Sequence, residues 1–370
     1  KAMTEYCHSL DSTRTVTCGV DAPQQAVDCG FYDAVDVPGF NYRIQLYEKL
    51  IGKLRQGFLL GSETTSAVSS RGVYKFPVTV EKMKTYDDGQ SSSYDTEFCG
   101  WSNLPDDDFA KMDDLPYDIG MFIWTGQDYL GEPTPYYSYW PSRSSYFGVV
   151  DLAGLPKDRF YLYKSVWNKK EPTLHLLPHW NWEGREGQTT PVYCYTSYPS
   201  AELFVNGKSM GRIHKQPNTQ LDRYRLRWND VKYAPGEIKV VAYDENGKQV
   251  AEKTIRTAGQ PAVLDMKEER SVIASDGEDL AYITLSMLDK DGNECPTANQ
   301  SISFTVEGAG QFKAACNGDA TSLEPFTQPR MKLFSGKLVL IVQSNGKKGD
   351  IIVKAKADNG IENKLVLKAQ

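Results

Sequence analysis

The sequence has no block of lysine or arginine residues, and its 42 basic side chains are outnumbered by 48 acidic ones, which gives a net charge of −6 at pH 7. Nucleic acids and anionic membranes are bound through clustered positive charge, so neither is expected as a partner, and a neutral ligand is favoured. No apolar run approaches the roughly 20 residues of a membrane-spanning helix. The first residues, Lys1-Ala2-Met3-Thr4, do not resemble a signal peptide.

Metal-binding and disulfide patterns are missing as well. The seven cysteines are scattered and include no C-x-x-C pair, and the four histidines, His8, His175, His179 and His214, lack the spacing of metal ligands. The sequence therefore predicts neither a zinc site nor a disulfide framework. We expect the cysteines to be mostly free, buried thiols.

What the sequence does contain is a change of pattern along the chain. Residues 1–170 alternate apolar strand-like runs with helical ones, which is typical of an α/β fold with a parallel sheet. The predicted helices of this region are 2–10, 43–55 and 159–167, and its four predicted strands are 15–18, 35–42, 58–60 and 121–124.

Two further regions, 171–258 and 259–370, contain short alternating strands separated by turn dipeptides such as Asn206-Gly207 and Asn345-Gly346. Alternation with frequent turns indicates a β-sandwich in each region. The predicted fold class is therefore multidomain, with an α/β region followed by all-β regions.

One carboxylate stands at the end of a short apolar run. Gly57-Phe58-Leu59-Leu60 is typical of a buried strand, and Glu63 lies three residues after its end. In parallel α/β barrels, catalytic side chains lie at the C-terminal ends of strands. Glu63 is therefore a candidate catalytic residue, and the alternative is a surface glutamate at the start of the next segment.

A second apolar strand, 120–124, also ends in polar residues. Taken with residues 62–74 (SETTSAVSSRGVY) and 124–136 (WTGQDYLGEPTPY), the chain resembles the C-terminal part of family 2 glycoside hydrolases of the β-galactosidase type. The resemblance continues through 147–158 and His179-Trp180-Asn181-Trp182 and covers essentially the whole chain. It implies the second half of a TIM (β/α)₈ barrel over residues 1–170, followed by two immunoglobulin-like sandwiches, as in Bacteroides-type enzymes.

The resemblance implies catalytic roles for two residues. Glu63 would be the nucleophile of a retaining enzyme, which uses a pair of carboxyl groups. Tyr42, which follows Asn41 at a strand end, would donate a hydrogen bond to it, although a tyrosine at the edge of the core is an equal alternative. The acid/base glutamate of the family lies in an Asn-Glu dipeptide, and the only one here, Asn293-Glu294, falls in the last region.

Substrate contacts are implied for a second group of residues. Trp124 resembles the aromatic platform under the sugar, and the alternative is a core tryptophan at a strand end. Asp128 and Glu132 are candidates for binding hydroxyl groups, or else solvated loop acids. Asn41, which adjoins Tyr42, is a further candidate for contact with the substrate. His179 and Trp180 either pack the second region onto the first or reach back to the substrate cleft.

The implied activity is hydrolysis of terminal β-D-galactosides, without a metal or organic cofactor. Arg143-Ser144-Ser145 lies where related β-glucuronidases carry an Asn-x-Lys motif that grips a sugar carboxylate, so a neutral sugar is favoured. A related hydrolase that acts on glucuronides or mannosides is a weaker alternative. The alternative from another class is a non-catalytic carbohydrate-binding or scaffold fragment. Besides the carbohydrate, the expected partner is an upstream segment or another chain that completes the barrel, and the implied location is periplasmic or extracellular.

Overall fold

A parallel four-stranded sheet organises the first region. The computed structural model describes all 370 residues. Neighbouring strands of the sheet follow one another in chain order and all run parallel, as predicted. The strands are Thr17–Val20, Val37–Asn41, Leu59–Thr64 and Asp118–Ile123, with an isolated pair of short strands at Glu81–Lys82 and Glu97–Phe98. The third strand is longer than predicted and contains Glu63.

The helices of the first region differ in part from the prediction. They are Ala2–Leu10, Pro23–Asp28, Tyr47–Leu50, Pro105–Asp114 and Asp158–Trp167. The predicted helix 43–55 is confirmed only in part, because the helical turns over 44–53 are α-helical at Tyr47–Leu50 and 3₁₀ on both sides, after a left-handed φ of 46° at Arg43. The predicted helices 2–10 and 159–167 are confirmed within one residue.

The second region contains two antiparallel sheets with 14 buried residues in a core between them. The four-stranded sheet is ordered Lys208–His214, Ser200–Val205, Glu237–Tyr243 and Gln249–Arg256. The three-stranded sheet is ordered Arg225–Trp228, Val192–Thr196 and Leu174–Leu177. This arrangement is that of a β-sandwich, as the alternating pattern indicated.

The third region is a larger sandwich with 25 residues in its core. One sheet is ordered Pro261–Glu268, Leu280–Asp289, Lys337–Ser344 and Gly310–Cys316. The other is ordered Val272–Ile273, Glu362–Ala369, Gly349–Ala357, Ser301–Gly308 and Arg330–Lys332.

Buried ion pairs join the first region to the second. Arg225 of the second region is fully buried against Asp106 of the Pro105–Asp114 helix, and its guanidinium also donates to the carbonyl oxygens of Tyr94 and Asp95. A buried cation that lost these acceptors would remain without compensation. The second region is therefore fixed on the first by contacts that are costly to break.

The cysteines are all free, but the expectation that most are buried is only partly right. Cys99, Cys194 and Cys295 are buried and Cys316 is half-buried, whereas the remaining three, Cys7, Cys18 and Cys29, are exposed. No helix in the structure is long and apolar enough to cross a membrane.

Candidate active site

Glu63 lies at the C-terminal end of the Leu59–Thr64 strand, in register with Asn41 of the neighbouring strand. Two glycines make room for these side chains. A Cβ at Gly39 would lie 2.7 Å from Ser62 Oγ, and a Cβ at Gly19 would lie 2.6 Å from Asn41 Oδ1. Larger residues at these positions would displace the side chains that surround the carboxylate.

Both oxygens of the Glu63 carboxylate accept a hydrogen bond from the neighbouring strand end. Asn41 Nδ2 donates to Oε1 at 3.0 Å, and Tyr42 Oη donates to Oε2 at 2.9 Å. Ser62 Oγ in turn donates to Asn41 Oδ1 at 2.8 Å, which orients the amide so that its nitrogen faces Glu63. The carboxylate is thus held in one orientation while it remains half-exposed.

A second layer of side chains supports Tyr42. Its hydroxyl lies 2.8 Å from Ser66 Oγ, which accepts a hydrogen bond from Trp101 Nε1 at 3.3 Å. Burial raises the pKa of Tyr42 well above its ordinary value, and the adjacent Glu63 acts in the same direction, so the phenol stays a neutral donor. Tyr42 has a left-handed φ of 58°, a conformation that a non-glycine residue adopts at a cost and that tertiary contacts maintain here.

Asp108 ties together the two loops that carry this second layer. Its Oδ2 accepts hydrogen bonds from Thr65 Oγ1 at 2.5 Å and from Asn103 Nδ2 at 2.6 Å, whereas its buried Oδ1 has no partner. Burial raises the pKa of Asp108 to about 7. Thr65 adjoins Ser66, and Asn103 lies two residues after Trp101, so this one carboxyl group joins both sides of the site.

Trp124 and Glu132 belong to the same side of the site. The backbone N–H of Trp124 donates to Thr64 O at 2.8 Å, which places Trp124 next to the end of the Glu63 strand. Its indole Nε1 donates to Tyr129 Oη at 3.1 Å, and Tyr129 donates to the exposed carboxylate of Glu132. Trp124 is half-buried and presents part of its ring to solvent, as a stacking surface requires.

Asp128 is not available to a sugar in this structure, which corrects its predicted role. Its side chain is buried, with one oxygen 2.5 Å from Lys157 Nζ. The other oxygen accepts from the backbone N–H of Gly148 at 2.8 Å and from Ser145 Oγ at 3.1 Å. The carboxylate therefore fixes the loop and has no oxygen left for a substrate hydroxyl.

The predicted substrate role of His179 and Trp180 is also not supported. Trp180 is fully buried in the core of the second region and donates its Nε1–H to Ala234 O. His179 stacks on Trp182 at 4.1 Å, and burial lowers its pKa to about 4. Both line a cavity of about 550 Å³ between the three regions, and Glu63 is not among its lining residues. His179 also packs edge-on against Tyr74 of the first region at 5.4 Å, so packing between regions is observed for His179, whereas Trp180 belongs to the core of the second region.

The structure offers no replacement for the missing acid/base residue at Asn293-Glu294. Glu294 lies in the third region and pairs with Lys337 at 2.6 Å. The chain contains no group of three or more His, Cys, Asp or Glu side chains that could hold a metal ion.

Sequence reasoning missed three residues that now belong to the site. Ser66 lay inside the motif 62–74 and could have been chosen for its distance of three residues from Glu63. Trp101 and Asp108 had no such signal, because their contacts with Ser66 and Thr65 span 35 and 43 positions of the chain.

Comparisons with known proteins agree with this architecture. Residues 264–366 match the model of glycoside hydrolase family 2 C-terminal domain 5, and residues 187–251 match a domain of unknown function, DUF4982. The β-galactosidase BoGH2A of Bacteroides ovatus is 39% identical over 360 residues, which is 94% of this chain and 41% of that protein. A β-glucuronidase of Formosa agariphila is 30% identical over 172 residues, 46% of this chain and 17% of that protein.

Solved structures of glycosidases also superpose on the chain. A β-glycosidase from Bacteroides vulgatus superposes with a TM-score of 0.83 at 28% identity, over all of this chain and 48% of that one. A family 2 glycosyl hydrolase from Bacteroides cellulosilyticus superposes with a TM-score of 0.82 at 26% identity, covering 46% of its own length. The chain thus spans less than half the length of these relatives.

Proposed function

Because the chain belongs to family 2 of the glycoside hydrolases, we propose that it is the C-terminal portion of a retaining β-galactosidase in which Glu63 is the nucleophile. The observation that carries the proposal is the Glu63 carboxylate at a parallel strand end, with a hydrogen-bond donor on each oxygen. One oxygen would attack the anomeric carbon as the bond to the leaving oxygen breaks, and water would then cleave the glycosyl ester.

The rest of the site fits binding of one sugar ring. Trp124 would supply the stacking face, Glu132 would accept hydrogen bonds from the hydroxyl groups of the sugar, and the second Nδ2–H of Asn41 would donate to one of them. The proton for the leaving oxygen would come from a carboxylic acid outside these 370 residues. In this proposal, Tyr42 keeps the nucleophile in place and does not itself exchange a proton, since burial raises its pKa far above neutral pH.

The parallel sheet is proposed to be the second half of a (β/α)₈ barrel. Its two outer strands, Thr17–Val20 and Asp118–Ile123, each pair with only one neighbour, and the second of them exposes the apolar side chains of Ile119 and Phe122. Unpaired edges of this kind are costly and prone to association. A preceding segment of the same polypeptide or another chain would cover them. With this half-barrel at residues 1–170, the two sandwiches would be separate domains at 171–258 and 259–370.

A neutral galactoside is preferred to a glucuronide as the substrate. Arg143, at the position where a uronate clamp is expected, turns its guanidinium away to the third region, 5.0 Å above the ring of Phe326. The relative BoGH2A, which covers almost the whole chain, is described as a β-galactosidase. Because a β-glucuronidase of Formosa agariphila is also similar to part of the chain, glucuronide hydrolysis is the other outcome that the test can give.

Covalent labelling of the full-length protein tests the nucleophile. An activated 2-deoxy-2-fluoro-galactoside should add its sugar mass to the peptide that contains Glu63, and Glu63→Gln should abolish both labelling and turnover. Glu186→Gln, at an exposed position without side-chain contacts, serves as the matched control and should leave both unchanged. Labelling on any other carboxylate would contradict the assignment.

Two further measurements test the substrate and the half-barrel. Among p-nitrophenyl β-glycosides, full-length protein should hydrolyse the galactoside fastest, and faster hydrolysis of the glucuronide would overturn the choice of sugar. Residues 1–370 alone should associate or expose 1–170 to protease, and should hydrolyse the galactoside about 10² to 10⁴ times more slowly for lack of the general acid. Normal turnover by a protease-resistant monomer would favour a complete site.

Export to the periplasm or cell surface stays a prediction, which cell fractionation would test.

A further inference from the structure

A loop of the third region is built into the first region close to the candidate site. The strands Gly310–Cys316 and Arg330–Lys332 are joined by residues 317–329, and the part that contacts the first region, 317–326, is the loop described here. Ala320 of this loop is buried in an apolar cluster whose other members come from the first region, among them Tyr136, Tyr146 and Phe147. Trp101 and Trp124, the two indoles of the site, pack against the same cluster. The third region thus shares a core with Trp101 and Trp124, which form the aromatic wall of the site.

Polar contacts fasten the loop on both sides of this cluster. The backbone N–H of Arg143 donates to Ala320 O at 3.0 Å, and Gln90 Nε2 donates to Asp319 Oδ1 at 2.7 Å. Gln90 is itself tied to the cluster, because its carbonyl oxygen accepts a hydrogen bond from Tyr136 Oη. These bonds hold two separate segments of the first region, around residues 90 and 143, at the positions that the loop dictates.

The start of the loop is packed without free space. Arg71 is buried, donates to Asp151 Oδ2 at 2.6 Å, and also donates to the carbonyl oxygens of Asn317 and Phe334 at 2.8 Å. Gly318 lies against the same ion pair, with a left-handed φ of 80°, and a Cβ there would lie only 1.9 Å from Asp151 Oδ2. Any side chain at 318 would push the loop away from the first region.

We propose that the loop 317–326 of the third region is a positioning element of the active site, which holds the segment 124–147 and thereby sets the affinity for the sugar. The proposal rests on the proposed function as far as the sugar is concerned. That segment contains Trp124, Tyr129 and Glu132, and Arg143 at its far end is bonded to the loop. The loop does not contact the Glu63 carboxylate, so it would act on binding more than on the chemical step.

Two glycine substitutions in the full-length protein separate positioning from simple stability. Gly318→Ala and Gly346→Ala both introduce a Cβ at a φ of 80° in the third region, but at Gly346 no atom lies within 4 Å. Both variants should lose similar backbone stability, whereas only Gly318→Ala displaces the loop. We expect Gly318→Ala to raise KM for p-nitrophenyl β-galactoside about tenfold with kcat changed less than about twofold, and Gly346→Ala to change neither.

Hydrogen exchange gives a readout that does not depend on activity. Backbone amides of 124–147 should exchange about tenfold faster in Gly318→Ala than in the wild type or in Gly346→Ala. Gln90→Met, which removes the amide donor while keeping the length of the side chain, should act in the same direction if Gly318→Ala does not fold. Unchanged exchange in 124–147 in the variants that fold, or a loss of kcat at constant KM, would overturn the proposal. A wild type without hydrolysis would refute only the enzymatic proposal.

Discussion

Asp108 makes the stability of this protein depend on pH in an unusual direction. Its carboxyl group is buried, accepts hydrogen bonds from Thr65 and Asn103, and leaves Oδ1 without a partner. Replacement by asparagine keeps an oxygen for both donors and places an amide where the unpaired oxygen stands. Asp108→Asn therefore removes the ionisation and changes the shape of the side chain very little.

The magnitude follows from the raised pKa. Burial raises the pKa of Asp108 to about 7, against about 3.9 in an unfolded chain. Below pH 4 both states are protonated, and Asp108 does not affect the pH dependence. Between pH 4 and 7 the unfolded state is ionised while the folded state still binds the proton, so the free energy of unfolding falls as pH rises. Between pH 5 and 8 this one group should account for a loss of about 2–3 kcal/mol.

The assay compares urea unfolding of wild type and Asp108→Asn at pH 5, 6, 7 and 8, following the transition in which the first region unfolds. Asp106 and Asp118, whose pKa values burial also raises, to about 6, are present in both proteins, so the difference between the two profiles reports Asp108 together with its charge interaction with Asp118. Asp230→Asn, at an exposed aspartate without an ion pair, should give the wild-type profile. Parallel profiles for wild type and Asp108→Asn would refute the reasoning.

Three further substitutions test the site and the core. Tyr42→Phe removes a hydrogen bond to a carboxylate and should lower kcat/KM of the full-length enzyme about 10- to 100-fold, whereas Tyr32→Phe, which removes a bond to a backbone carbonyl, should leave kcat/KM unchanged. Arg225→Ala should destabilise the protein by about 3–5 kcal/mol because it breaks a fully buried ion pair, and Arg223→Ala, in a more exposed pair, by less than about 1 kcal/mol in the same denaturation assay. Trp180→Ala should cost about 3–5 kcal/mol of stability, and an increase in KM without loss of stability would contradict its place in the core.

The sequence predicted the features that repeat at short range. Alternation of apolar and polar residues, with turn dipeptides between the runs, indicated the strands of both sandwiches, and the apolar runs before Glu63 and Trp124 indicated parallel strands. The helix predicted over 43–55 is right only in part. Helix propensity is a local and weak preference, and the left-handed backbone at Tyr42 and Arg43, held by contacts with the next strand, precedes a segment that is α-helical only over Tyr47–Leu50.

The residues of the site can likewise be divided into those that a local pattern indicated and those that it did not. Glu63, Asn41 and Tyr42 could be identified from the sequence because a strand end is a local feature, and strands that run parallel bring their ends together. Whether an acid near the site faces solvent or a buried cation is decided by residues far along the chain. Asp128 was predicted to be a sugar ligand or a solvated loop acid, but it pairs with Lys157, 29 positions later in the chain. Trp180 belongs to the core because strands of the second region enclose it.

The sequence by itself therefore determined most of the element types and the position of the Glu63 carboxylate at a strand end, since each depends on neighbours within a few residues. Only the tertiary structure decided the second layer of Ser66, Trp101 and Asp108 and the insertion of the 317–326 loop beneath the aromatic wall. Those contacts depend on burial and hydrogen-bond partners that lie 35 to more than 200 positions apart, and no local pattern encodes which pairs will meet.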